Sequence, residues 1–241
     1  NSYSMNYYMD CEFIEGFHKP WFGKRRHHID LISIGIVGQD GREYSAISNE
    51  YDYKDANAWV RENVIMPLYT STVHGDNRNH MSEKNFHKAY GKSNAQIAKE
   101  IVAFVNPHQD SAVPSMVRHP LYRYKHNISN EHGYAQPDFY GYFADYDWVL
   151  FCSLFGTMMD LPKGFPMYMR DVKQILDAGA DSIIHWGTAG AIDSIRTNMS
   201  MEEKVKMIKQ FPGFPVNEKE HDALADARWT RDLHGFLINK G

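Results

Sequence analysis

Carboxylates fall at three places in the chain where their neighbours are largely apolar. Asp10 and Glu12 interrupt the run "YYMDCEFIEGF", residues 7 to 17. At i and i+2 of a strand they project from one face. Two ionised groups there repel unless something positive stands between them. A divalent cation meets that need, because oxygen ligands suit Mg²⁺ and Mn²⁺. A strand end emerging into solvent meets it equally well. Asp145 and Asp147 open "DYDWVLFCSLFG", and a helix N-terminus by itself favours acidic side chains. Asp145 is expected to cap, leaving Asp147 free to reach a site. His221, Asp222 and Asp226 stand in "HDALADARW". Asp222 and Asp226, four apart, share a helix face, while His221 and Asp226, five apart, are about 140° apart around a helix. An imidazole titrates near neutrality and can act as a general base beside a metal ligand. A histidine at a helix start is also ordinary surface.

The elements that must position these groups follow from periodicity. Residues 6 to 14, 29 to 37 ("IDLISIGIV") and about 42 to 51 read as strands, with a turn at Gly38 to Gly41. Their short connections predict an antiparallel meander. Helical spacing over 54 to 69 and 93 to 105 predicts two helices, and "DFYGYF" at 138 to 143 a fourth strand. A helix from Asp145, another after "FPMYMRD", one opened by the Ser200/Glu203 capping box and a closing helix complete the order. Residues 70 to 92 and 106 to 136 are polar, rich in His and Asn or Pro, and expected to be irregular. The fold class is α/β: a mixed sheet flanked by helices in one domain over 1–241. An insertion is expected at about 70–136 and helical decoration at about 177–218.

Composition narrows the function. The 241 residues carry a net charge of −4 with 26 Lys and Arg, which argues against a protein that coats long polyanions. It leaves room for an enzyme gripping a few nucleotides, since bound cations offset an acidic site. No apolar run approaches a membrane span, no secretory leader is apparent, and two cysteines make no disulfide framework, so a cytoplasmic protein is expected. The scattered histidines have no zinc-site spacing. Lys24, Arg25 and Arg26, before His27 and His28, form the one dense basic run. It is either a contact to a nucleic-acid backbone or an exposed charged loop.

Taken together, D-x-E on the first strand, Asp147 on a mid-chain helix and H-x-x-x-x-D near the end resemble the DEDDh branch of the 3′→5′ exonucleases, which have a ribonuclease H-like fold. Ribonuclease T, oligoribonuclease and the proofreading subunit of replicative polymerases share that pattern. "YYMDCEFIE", "IDLISIGIV", "GREYSAISNE", "WVRENV", "DWVLFCSLFG", "MDLPKGFPMYMRDVKQ" and "HDALADARW" look like the small exoribonucleases of the poly(A)-specific mycobacterial type and their phage relatives. Residues 70 to 136 and 177 to 218 depart from the short members.

The resemblance implies a two-metal phosphodiesterase. Asp10, Glu12, Asp147 and Asp226 would ligate two Mg²⁺ or Mn²⁺ ions, and His221 would be the base. Single-stranded RNA would be shortened from its 3′ end to nucleoside 5′-monophosphates. Phe13 and Ile14 would lie against the terminal nucleotide, Glu15 would accept hydrogen bonds from a base or a 2′-hydroxyl, and Arg170 would meet a phosphate. For Phe13 a core role, for Glu15 a solvated one and for Arg170 a salt bridge to Asp171 or a neighbour are the alternatives. Single-stranded DNA as substrate, a catalytically silent nucleic-acid-binding module and a homodimer stay open. A membrane partner is not expected.

Overall fold

The computed structural model describes residues 4–18, 21–75, 80–105 and 136–239. Five strands form one sheet in the order β3-β2-β1-β4-β5. They are β1 (Ser4–His18), β2 (Arg26–Gly38), β3 (Glu43–Ile47), β4 (Gln136–Gly141) and β5 (Arg170–Asp171). The first three form the expected antiparallel meander, and β4 and β5 add in parallel to β1. The helices are α1 (Ala58–Val60), α2 (Met66–Thr72), α3 (Phe86–Tyr90), α4 (Asn94–Val105), α5 (Asp145–Ser153), α6 (Val172–Gly187), α7 (Asp193–Arg196), α8 (Met201–Ile208) and α9 (Ala223–Ile238). The mixed sheet flanked by helices is the expected α/β class, consistent with a ribonuclease H-like architecture.

Alternation along β1 sorts its side chains between two cores. Tyr7, Met9 and Cys11 face Ile97 and Ile101 of α4 and Leu150 and Phe151 of α5. On the other face the Tyr8 hydroxyl lies 2.9 Å from Nδ1 of His234 on α9, and Ile14 packs with Val60, Val64 and Ile65. Asp10 and Glu12 belong to this second face.

Gly35 of β2, directly across from Asp10, sets how close α9 can come. A Cβ there would stand 2.4 Å from the Ala223 carbonyl oxygen and from the Leu224 nitrogen. Only a bare backbone lets the start of α9 settle beside Asp10. Gly35→Ala must therefore lift the helix that carries Asp226. The expected cost is about 1–3 kcal/mol of stability, as for other overpacked sites, and urea unfolding would read it. An unchanged midpoint would mean that α9 is not seated on this glycine.

Several expectations needed correction. The helix read over 54 to 69 is not uniform: Asn57 caps α1, and Arg61–Ile65 then widens into a π turn closed by the Met66 N–H on the Arg61 carbonyl. Pro67 follows at the start of α2, without an N–H to continue an α ladder. Residues 70 to 92 include the short helix α3 as well as loop. The irregular reading of 106 to 136 falls outside the described residues except at its last position, which begins β4. The capping box at Ser200 and Glu203 is present and opens α8. Cys11 and Cys152 are both buried and free. Among the described residues no helix is long and apolar enough to cross a membrane.

Candidate active site

The candidate site lies where β1 and β4 part. Their pairing stops at Tyr8 and Tyr140, so the edge of β1 beyond that rung is open. An open buried edge leaves N–H groups that need acceptors. Asp147, in the first turn of α5, supplies one: its Oδ1 accepts the Cys11 N–H at 3.0 Å. Asp147 is 5% exposed, whereas Asp145 points to solvent. Asp145 does not cap the helix as expected; Ala144 occupies the cap position with no side-chain bond.

Asp226 arrives from the opposite end of the chain, on the first turn of α9. Asp222 caps that helix, its Oδ1 accepting the Ala225 N–H at 3.0 Å. Asp226 is held on both oxygens. The His221 N–H donates to Oδ2 at 2.9 Å, and the Asn217 side-chain amide donates to Oδ1. Oxygen atoms of Asp10, Glu12 and Asp226 all lie within 4.8 Å of one another. Asp147 stands beside this trio, and its charge acts on both Asp10 and Glu12.

Such crowding has an electrostatic signature. Two like charges 4 Å apart repel by about 4 kcal/mol at an effective dielectric of ~20. Burial, reinforced by the neighbouring carboxylates, pushes Glu12 up to about 8 and Asp10 well above the ordinary carboxylate range. Burial also lifts Asp147 to about 7, against the lowering effect of the Cys11 N–H, and raises Asp226. Half-buried oxygen donors this close, with no lysine or arginine bonded to them among the described residues, fit hard divalent cations such as Mg²⁺ or Mn²⁺.

The shifts carry a pH prediction. Each of these folded-state values lies above the unfolded one, near 4. The folded metal-free chain then holds more protons than the unfolded chain, and the stability these groups contribute is lost as pH rises through about 7 to 8. In EDTA the melting temperature should fall between pH 6 and pH 8.5. Mn²⁺ should raise it more at the upper pH, where fewer protons compete for the carboxylates. A Mn²⁺ effect that is equal or smaller at pH 8.5 would contradict this account.

His221 precedes α9 rather than lying on it. Its φ of 67° is left-handed, and its ring meets Trp59 of α1 edge-on, with centroids 4.8 Å apart. A cavity of about 820 Å³ opens beside it, over Ser33 and Ser45 toward Lys92, Lys219 and α2.

The other expected contacts divide. Phe13 is part-buried at the edge of the first core and meets Tyr146 edge-on at 5.5 Å. Glu15 is exposed, its Oε1 accepting from the Tyr146 hydroxyl at 3.0 Å and lying 2.8 Å from Nε2 of His27. Ile14 is fully buried, so it braces β1 from behind and offers no surface to a ligand. Arg170 pairs with Asp138 at 3.6 Å, rather than with Asp171, and lies over the Tyr168 ring on the edge strand. Trp148 and Trp229 each donate to a backbone carbonyl, of Met167 and Pro215, and pack against aromatic neighbours. Asn217, Trp59 and Tyr146 were not singled out in the sequence. Nothing in their spacing marks Asn217 and Trp59, which meet the site only through a loop or a neighbouring element, and Tyr146 is marked only by its place beside Asp147 on α5. A second group, His28, Asp30 and Asp55, also brings ligand-type atoms together, with His28 Nε2 at 3.4 Å from Asp30 and 3.9 Å from Asp55.

No protein-family model matches the chain. Two curated proteins do: the 3′-5′ exoribonucleases of two strains of Mycobacterium tuberculosis, CDC 1551 / Oshkosh and ATCC 25618 / H37Rv. Each is 27% identical to this chain over 225 residues, covering 93% of the chain and 88% of the relative.

Proposed function

We propose that the protein is a metal-dependent 3′→5′ exoribonuclease of the DEDDh type, acting on single-stranded RNA. The observation that carries this reading is the convergence of Asp10, Glu12 and Asp226, oxygen atoms within 4.8 Å, with Asp147 bonded at the open edge of β1. Similarity over nearly the whole chain to proteins named 3′-5′ exoribonucleases supports the reaction and the RNA substrate.

Two Mg²⁺ or Mn²⁺ ions, when bound, supply Lewis-acid activation of the attacking water and stabilisation of the leaving 3′ oxygen. Asp10, Glu12, Asp147 and Asp226 would hold them. Asn217 and the His221 N–H fix the orientation of the Asp226 carboxylate. The His221 N–H is tied to Asp226, and its imidazole lies near enough for its charge to act on that carboxylate. There it takes the proton from the attacking water. Trp59 limits the swing of that ring by its edge contact. The product is a nucleoside 5′-monophosphate.

The test is cleavage of 5′-labelled single-stranded RNA and DNA of equal length, each with Mg²⁺, with Mn²⁺ and with EDTA. A metal-dependent ladder shortening from the 3′ end of RNA is expected. Folded protein that cleaves neither nucleic acid would leave only a binding role, and preference for DNA would change the substrate class.

A further inference from the structure

The β1–β2 ribbon runs on past the rest of the sheet. β4 leaves β1 at Tyr8, and β3 pairs with β2 no further than Ser33. The six rungs from Phe13↔Leu31 to His18↔Arg26 have no strand beside them among the described residues. The inner rungs are packed, with Ile14 and Leu31 buried, and the rungs from Gly16↔His28 outward project roughly 10 Å at a strand rise of about 3.4 Å. A bare two-stranded ribbon is marginal in water by itself, and this one ends in large exposed rings. Trp21 is 93% exposed, Phe22 86% and Phe17 55%.

Cations are interleaved with those rings. Lys24, Arg25 and Arg26 follow the tip directly in a chain of net charge −4. The Arg25 guanidinium lies 4.1 Å from the centroid of the Phe17 ring. Aromatic rings and arginine also occur in protein–protein contacts, but lysine is depleted there. Rings for bases and cations for phosphates are instead the chemistry of single-strand binding.

Side-chain contacts link this tip to the acidic cluster. Phe17 meets His27 edge-on at 5.7 Å, His27 and Tyr146 share the Glu15 carboxylate, and Tyr146 immediately precedes Asp147. Phe13, Glu15 and Phe17 share the face of β1 opposite Asp10 and Glu12. Asp147 joins the two faces at the open edge, through the Cys11 N–H.

We infer that the projecting β1–β2 ribbon is an arm for the 5′ portion of a single-stranded RNA, with Phe17, Trp21 and Phe22 stacking on bases and Lys24, Arg25 and Arg26 neutralising phosphates. The inference rests on the exoribonuclease reading above. It adds a length dependence: long substrates use the arm, and a dinucleotide cannot reach it.

The experiment compares wild type with the Trp21→Ala/Phe22→Ala and Arg25→Ala/Arg26→Ala variants. It measures kcat/KM on a dinucleotide and on a 20-nucleotide RNA, with anisotropy of the labelled 20-mer in EDTA and light scattering alongside. Each variant should lose at least tenfold in kcat/KM on the 20-mer, mainly through KM, and stay within twofold on the dinucleotide. The arginine variant should also show a shallower salt dependence. Equal losses on both substrates, or no loss on either, would overturn the arm. So would a loss that accompanies conversion of a dimer to a monomer, which would make the ribbon a contact between copies. Wild type inactive on both substrates would sink the exoribonuclease reading, and anisotropy would then judge the arm alone: unchanged binding in both variants, or none by wild type, overturns it.

Discussion

Asp10→Ala should reduce exoribonuclease activity by at least about 10³-fold while leaving a folded protein. The direction of the stability change separates this from general damage. Asp10 lies half-buried among Glu12, Asp147, Asp222 and Asp226, all of like charge. Removing it relieves repulsion, so the metal-free variant should melt no lower than wild type at pH 8. On the proposed two-metal reading the rate falls because charge stabilisation by bound cations would be worth several kcal/mol, and each 1.36 kcal/mol is tenfold in rate. Asp226→Ala should lose as much activity for the same reason. It also removes the acceptor for the His221 N–H and the Asn217 amide, so some stability should go with it. Metal-dependent turnover retained by Asp10→Ala would displace the site altogether.

His221→Asn should lower kcat by about 10²–10⁴-fold, the usual range for a positioned acid–base group, with a much smaller change in KM. Asparagine suits the test better than alanine. The backbone here has φ 67°, a conformation asparagine tolerates best among residues other than glycine. The variant keeps the N–H that holds Asp226 and removes only the imidazole. If its kcat were unchanged, the base would have to be sought elsewhere. If Mn²⁺ affinity fell along with kcat, the histidine would be acting through Asp226 and not on the proton.

The three-stranded meander, α4, α8 and α9 were legible in the sequence, because each pairs a clean hydrophobic period with a turn or cap. The four acidic positions were picked out by the D-x-E, Asp and H-x-x-x-x-D order that resembles the DEDDh exonucleases. Of the four, only Asp10 and Glu12 had a geometric argument of their own, since two residues two apart on a strand share a face. What stayed hidden depended on contacts between distant segments. The unpaired edge of β1, which gives Asp147 its bond to Cys11, follows from where β4 stops. Gly35 reads as an ordinary strand residue until α9 is seen lying on it. Asn217 lies in a loop, nine residues before the carboxylate it holds. Asp145 failed as a cap although its residue type suits that role, because Ala144 already takes the position. Ile14 followed the acidic pair in sequence but alternation sent it into the core.

Asp10 lies early in the sequence, and His221 and Asp226 late, just before and within a helix that docks on strands made first. As the polypeptide leaves the ribosome, the sheet meander and α5 can assemble with Asp10, Glu12 and Asp147 in place. The fourth carboxylate, Asp226, and the His221 N–H that holds it come from far later in the chain. The cluster is therefore completed only when α9 settles onto Gly35, by long-range closure of the fold rather than by any local segment.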